Sequence, residues 1–378
     1  MIRKLLLLLI CLLFSGCGNP PPPKAAEVKK EESFTVSGFF NTNSALTSSF
    51  ITSLYYDSAE TLWIGTKKGL FKYQGEGTVF EPFEAKFANS LTSQQINCIV
   101  SDKNGTLFVG TEEEIGILNK ITGFATKNLG RINCLYWSDR MRSIYAGMDN
   151  GVAIFDFTQW FYWDKENSFL KLREKDDNIG QNFYQILSMD EDSDGIFWIG
   201  TGDGLVKYNL STKEGRVFYG IHKRPNQFGG FVKFEGNSPL SGNIVNSVLI
   251  SERDKWISTG CGLSHFQNED EKPSWEIFTA THVEAVVKED GRGVDEKLPG
   301  NSPLIGNWVK ECLHRGQWFF IATTGGLSCY NSDTKKWINI GKNEGLKSER
   351  LTKAAFYKDS LFVGSEYGLY KIELQNFF

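Results

Sequence analysis

The sequence predicts an all-β fold, a seven-bladed β-propeller of four-stranded antiparallel blades, and three observations carry that expectation. A short phrase of strand, turn and strand recurs seven times, with Gly-Thr before the turn in three copies and Gly after it in six. It reads LWIGTKKGLFKY (62–73), FVGTEEEIGIL (108–118), YAGMDNGVAIF (145–155), FWIGTGDGLVKY (197–208), WISTGCGLSHF (256–266), FIATTGGLSCY (320–330) and FVGSEYGLYKI (362–372). An apolar strand precedes each copy, starting at residues 51, 96, 132, 186, 245, 309 and 351, a spacing that suits propeller blades with loop insertions. Finally, the last unit reaches the C-terminus without a fourth strand, while FTVSGFF (34–40) stands alone before the first unit. Letting residues 34–40 complete the last blade closes the ring and removes an exposed sheet edge.

The elements follow in chain order. Arg3 and Lys4 precede LLLLLICLLF (5–14), an apolar run of the length of a signal-peptide core and too short to span a bilayer. It ends in Ser15-Gly16-Cys17 and resembles the bacterial lipoprotein signal. That resemblance implies cleavage after residue 16 and acylation of Cys17, an anchor in the membrane through lipid (palmitate) alone. Gly18 lacks the acidic character that often retains lipoproteins at an inner membrane. The expected location is therefore the cell envelope, at the outer membrane in a cell with two membranes. Residues 17–33 carry four consecutive prolines and then charge, a tether with nothing to bury. Residues 34–378 form the propeller.

Within the blades the strands are lettered A to D. Strand B (LWIG, FWIG) is nearly continuous in apolar residues, as expected of a strand packed on both faces. Gly65 and Gly200 are expected to admit the neighbouring blade, and Trp63 and Trp198 to fill the space between blades. Aromatics at 14% and 38 glycines suit many short strands joined by tight turns. The net charge of −4, without a Lys/Arg cluster, gives no footprint for nucleic acid. Cys98 and Cys134 occupy the same place in neighbouring repeats (INCIV, INCLY). A disulfide between them is one reading, and buried free thiols are the preferred one.

Catalytic signatures are missing from the sequence. Its four histidines (His222, His265, His282, His314) fall in different blades or loops without metal-ligand spacing, and no nucleophile elbow, phosphate loop or dinucleotide glycine pattern occurs. No enzyme activity, no catalytic residue and no cofactor are expected. A weak calcium candidate is Asp190, Asp192 and Asp194 in D-x-D-x-D-G, although Thr201 stands where a calcium loop needs glutamate. The same residues suit the A–B turn.

Loop length points to a binding face. D-to-A and B-to-C connections emerge on one side of a propeller, and three consecutive D-to-A connections are long: 161–184, 220–243 and 279–307. Two of them share GNSPL-x-GN (236–243 and 300–307), so the shared part reads as lead-in to strand A. The unshared part supplies the candidate contacts His222, Lys223, Arg224, Phe228, Phe231, His282 and Arg292. Trp160 and Trp163 bracket an aromatic run nearby, of which alternation sends about half into blade packing.

The string ILSMDEDSDGIFWIGTGDGLVKY (186–208), with the lead-ins NSLTSQQINCIV (89–100) and NEGLKSERLTKA (343–354), resembles the two-component regulator propeller repeat. The resemblance spans residues 34–378, with departures at Glu114, where Gly is usual, and at Ser258, in place of the strand-B Gly. In that family such propellers form the extracytoplasmic sensor part of hybrid histidine kinases, and they also occur without a kinase. No kinase, immunoglobulin-like domain or second membrane span is read here, so the chain is not expected to signal by itself. The expected function is a lipid-anchored, non-enzymatic binding module that presents the blade 3–6 loops to an envelope protein partner. A receptor for a glycan or small molecule is the first alternative, and a carbohydrate-active enzyme the second.

Overall fold

The recurring phrase is a hairpin whose turn is tied by its own threonine. In the computed structural model Thr201 Oγ1 accepts the Asp203 N–H (3.1 Å) and donates to the Gly204 carbonyl (2.8 Å). Thr66, Thr111, Thr259, Thr323 and Ser365 make the same tie to the strand-C start of their blades. The glycine closing the turn has a left-handed backbone, φ +125° at both Gly69 and Gly204. An L side chain rarely adopts that conformation. The invariant-looking parts of the phrase are therefore turn chemistry.

The structure describes residues 33–44, 46–75, 80–83, 90–119, 121–163, 168–175, 179–225, 231–251, 254–267, 274–287 and 293–375. Cys17, the signal segment and the tether up to residue 32 fall outside them. Seven four-stranded antiparallel sheets form in chain order. Their A strands are Ile51–Tyr56, Ile96–Ser101, Ile132–Ser138, Ile186–Glu191, Val245–Ser251, Val309–Arg315 and Leu351–Tyr357. Each A strand lies beside the A strands of both neighbouring blades, and the first touches the last, so they ring an axial channel. Strand Ser33–Phe40 pairs antiparallel with Leu369–Gln375 and supplies the outermost strand of blade 7. The expected closure is thus observed, one residue longer than predicted.

Strands B are buried on both faces, as at Leu62–Thr66 and Trp318–Thr323. Their glycines are gaps for the next blade. A Cβ on Gly65 would meet Ile96 Cγ2 of blade 2 at 2.8 Å, and one on Gly200 would meet Val245 Cγ1 of blade 5 at 2.6 Å. Blade 5 puts Ser258 at this position, buried and with an Oγ that finds no partner.

The A–B turn is organised by an aspartate. Asp192 Oδ1 accepts the Asp194 and Ile196 N–H groups (3.1 and 3.0 Å), and Oδ2 accepts the Trp198 indole N–H (3.0 Å). Asp57 does the same for Ala59 and Thr61 (both 2.9 Å) and for Trp63 (2.7 Å). The aspartate thus fixes both the turn and the large ring that fills the gap between blades.

Every A strand carries a β-bulge between its first and third residues, for example Ile96/Cys98 and Val309/Glu311. A bulge re-aims side chains. In blades 1, 2, 5 and 7 the second residue reaches the first carbonyl of the next A strand. Thr52 Oγ1 donates to Ile96 O, Asn97 Nδ2 to Ile132 O (3.0 Å), Asn246 Nδ2 to Val309 O (2.7 Å) and Thr352 Oγ1 to Ile51 O (2.7 Å). These bonds stitch neighbouring blades together around the axis.

Candidate functional site

Chain direction decides what shares a face. Strand A starts where the D-to-A connection arrives, and strand B returns to that side, so the long connections and the B–C turns lie together. The two GNSPL-x-GN connections are hairpins on identical roots. One pairs His222–Pro225 with Phe231–Phe234, and the other His282–Val287 with Gly293–Leu298. At the first root Asn237 accepts the Tyr219 N–H (2.9 Å) and donates to Val217 O (2.8 Å), while Asn243 accepts the Gly220 N–H (2.8 Å). At the second, Asn301 accepts the Thr279 N–H (2.8 Å) and donates to Ile277 O (2.7 Å), while Asn307 accepts the Ala280 N–H (2.6 Å). The shared motif is therefore a clamp.

His222, Lys223 and Arg224 lie on one strand of the first hairpin and Phe231 on its mate, with Lys223 opposite Lys233 and Pro225 opposite Phe231. His282 opens the second hairpin. Phe228 and Arg292 fall outside the described residues. The third long connection behaves differently. Its 3-10 turns, Phe169–Lys175 and Gln181–Tyr184, bury Phe169, Leu170 and Phe183 against blades 3 and 4. It seals an interface instead of standing free.

Trp160 stacks on Phe155 (4.8 Å, 17°), and Trp163 meets Phe169, Phe197 and Tyr208 edge-on at 5.7–5.8 Å. Phe161 and Tyr162 between them are exposed. Three residues apart, the two tryptophans point to opposite faces of the blade, Trp160 against the core shared with blade 2 and Trp163 against the core shared with blade 4, so both rings belong to packing.

Asp190, Asp192 and Asp194 are not arranged around a common point. Asp192 caps the turn, and Asp190 Oδ2 accepts the Ile250 N–H of blade 5 (3.0 Å) while Oδ1 accepts the Glu191 N–H (2.9 Å). Among the described residues no three His, Cys, Asp or Glu side chains gather as a metal site. Burial, aided by the charges of Asp192 and Glu191 and opposed by those two N–H donors, pushes the Asp190 carboxyl up to about 6. Its unfolded value is about 3.9. Between those values the folded chain holds the proton more firmly, so stability falls as pH rises from 4 to 6, by about 3 kcal/mol. Asp190→Asn is expected to remove that decline. Urea midpoints of both chains from pH 4 to 7 check this, and an unchanged slope in the variant refutes the assignment.

The channel wall and its mouth hold residues that loop length did not flag. At the third position of strand A, Ser53, Cys98, Cys134 and Ser188 tuck against the strand-B glycine of their own blade. The Cys98 and Cys134 sulfurs each lie 2.5 Å from where a Cβ would stand on Gly110 and Gly147. Both are free thiols, as preferred. Burial raises Cys98 well above the ordinary thiol range and pushes Cys134 up to about 12. Both are therefore poor nucleophiles. Blades 6 and 7 place Glu311 and Lys353 at this position instead, paired at 3.1 Å. Burial works against the Lys353 charge, but Glu311 outweighs it and holds the ammonium above its ordinary range.

Above this pair, on the hairpin side, Arg350 meets Glu366 at 3.3 Å and Lys310 lies over the Trp308 ring at 4.8 Å. On the same side, Trp308 of blade 6, Ile244 of blade 5 and Tyr367 of blade 7 are 43%, 39% and 60% exposed. On the opposite sector Glu112 gathers Gln95 (2.7 Å), Asn97 (2.9 Å) and Arg131 (3.5 Å). A sequence signal existed: VKE and LTK break the pattern of ITS, INC, INC, ILS and VNS at the strand-A starts.

Comparison with known proteins agrees with this architecture. The two component regulator propeller family matches at residues 45–68 and 90–113. The extracellular domain described as that of a hybrid two component system from B. thetaiotaomicron is similar over 90% of this chain, at 20% identity and a TM-score of 0.65. This chain spans only 41% of that one. A streptogramin B lyase is similar over 91% of this chain and 98% of its own (10% identity, TM-score 0.59). YCF48 from Cyanidioschyzon merolae is similar over 87% of this chain and 96% of its own (10% identity, TM-score 0.54). These likenesses concern the fold. No curated protein matches the chain.

Proposed function

We propose, starting from a propeller of two-component regulator repeats, that this chain is a non-catalytic binding module that offers one face to a partner protein in the cell envelope. The observation that supports it is the pair of hairpins, 222–234 and 282–298, rooted on neighbouring blades by the same asparagine clamp. Clamped roots fix where the hairpins stand, which lowers the ordering cost of binding. Their strand edges also suit pairing with an extended segment of a partner. The Ser15-Gly16-Cys17 sequence supports a lipid anchor at Cys17, which keeps the module at a membrane. The likeness to an extracellular domain is in keeping with that location.

Lysine cross-linking in the native cells tests the reading. Lys223, Lys233 and Lys297 are expected to link reproducibly to one envelope protein. Replacing 222–234 and 282–298 with short Gly-Ser turns is expected to abolish co-purification of that protein with the chain without moving the melting midpoint. Co-purification that persists after the replacement, or links that arise from the tether alone, refute it.

A further inference from the structure

Three departures from the propeller's own repeat rules fall together on blades 6 and 7. At the second position of strand A, Thr52, Asn97, Asn246 and Thr352 spend their polar groups on the next blade. Blade 6 places Lys310 there, between Val309 and Glu311. At the third position, small side chains give way to Glu311 and Lys353. The stitch joins four of the seven blades to the next, and small side chains tuck against the strand-B glycine in blades 1 to 4. Glu311 and Lys353 join blades 6 and 7 in another way, Glu311 accepting from Lys353 Nζ (3.1 Å) and from the Ala354 N–H (2.5 Å), which leaves Lys310 as the charged residue there without a blade-joining bond.

The charges there do not cancel. Lys353 is matched by Glu311 and Arg350 by Glu366. Lys310 makes no hydrogen bond or ion pair among the described residues, and its Nζ rests only on the Trp308 ring, 4.8 Å from the centroid. It is half-buried. Burial and then the neighbouring Lys353 and Arg350 charges pull its ammonium below the usual range, with Glu366 opposing. A cation held near other cations without its own counter-charge is stabilised by an arriving anion. One positive charge is in excess, so one negative charge completes the set. Beside it stands the exposed Trp308 ring, which offers apolar contact to the body of such a ligand.

We propose that the channel mouth at blades 6 and 7 binds a small monocarboxylate, with Lys310 receiving the carboxylate and the Trp308 face flanking its apolar part. This site lies on the hairpin side but goes beyond the partner-protein reading and is independent of it. Loss of either leaves the other standing.

The test uses the full-length chain and three carboxylates, acetate, benzoate and indole-3-acetate, each against its uncharged amide, by titration calorimetry. At least one carboxylate is expected to bind at least tenfold more tightly than its amide, benzoate or indole-3-acetate ahead of acetate. Lys310→Met is expected to erase the difference, and Lys310→Arg to keep most of it because the charge remains. Melting midpoints identify any variant that fails to fold. Should Lys310→Met fail, Lys310→Gln is measured in its place. If no carboxylate outbinds its amide, or if the neutral variants retain the preference, the proposal is overturned.

Discussion

Deleting residues 33–40 from the otherwise intact chain is expected to abolish cooperative unfolding near the native midpoint and to drive self-association. The segment pairs along Leu369–Gln375 through seven partnered positions, so its removal strips one whole side of that strand. Phe34, Val36 and Phe39 pack on the blade 6–7 core, and Phe40 meets Phe80 at 4.9 Å. Four partly buried apolar side chains at about 1–2 kcal/mol each compare with a total stability of about 5–15 kcal/mol. The exposed strand becomes a template for another chain. Light scattering and a thermal melt read both effects, and a synthetic peptide of residues 33–40 is expected to restore the monomer. A monomeric deletion with an unchanged melt contradicts the closure.

The second large effect distinguishes two buried tryptophans in equivalent places. Trp198→Ala is expected to cost about 3–5 kcal/mol, since the ring is fully buried beside Phe218 and Phe266. It also leaves the Asp192 Oδ2 without its indole donor. Trp256 is equally buried, but its Nε1 has no acceptor, and its ring lies between His265 (4.1 Å) and Phe319 (4.1 Å). Replacement by Phe separates ring from N–H. Trp198→Phe is therefore expected to cost roughly 1–2 kcal/mol more than Trp256→Phe, which removes an unsatisfied polar group along with some ring contact. Chemical denaturation of both variants measures the difference. Equal losses mean that the aspartate–indole bond contributes nothing net.

Legibility in the sequence followed periodicity. Blade number, strand order and ring closure were readable because each repeat restates the same turn chemistry: Thr201 with Gly204, Thr66 with Gly69. The roles of Gly65 and Gly200 were readable for a similar reason, since a strand apolar on both faces needs room for its neighbour. Rarer features were harder. The aspartate–indole bond of Asp57 and Asp192 depends on a side-chain reach across the A–B turn that no spacing rule specifies. The fate of the 161–184 insertion depended on Phe169 and Phe183 finding an inter-blade gap, so loop length misstated it as exposed surface. Lys310 went unnoticed because the bulge that turns it toward the mouth leaves no mark on apolar alternation. The irregular residues at repeat positions, more than the extra residues between repeats, carried that information.

The direction of the closing strand decides which way the molecule looks. Ser33–Phe40 runs antiparallel to Leu369–Gln375, so it begins at the A–B turn side and ends at the hairpin side. Whatever precedes Ser33 therefore departs from the rim of the back of the disc. The stretch from Cys17 to Glu32 is 16 residues and reaches at most roughly 55 Å when fully drawn out. For a chain held at Cys17, as proposed, the attachment leaves from the face opposite the one that carries the hairpins and the channel mouth.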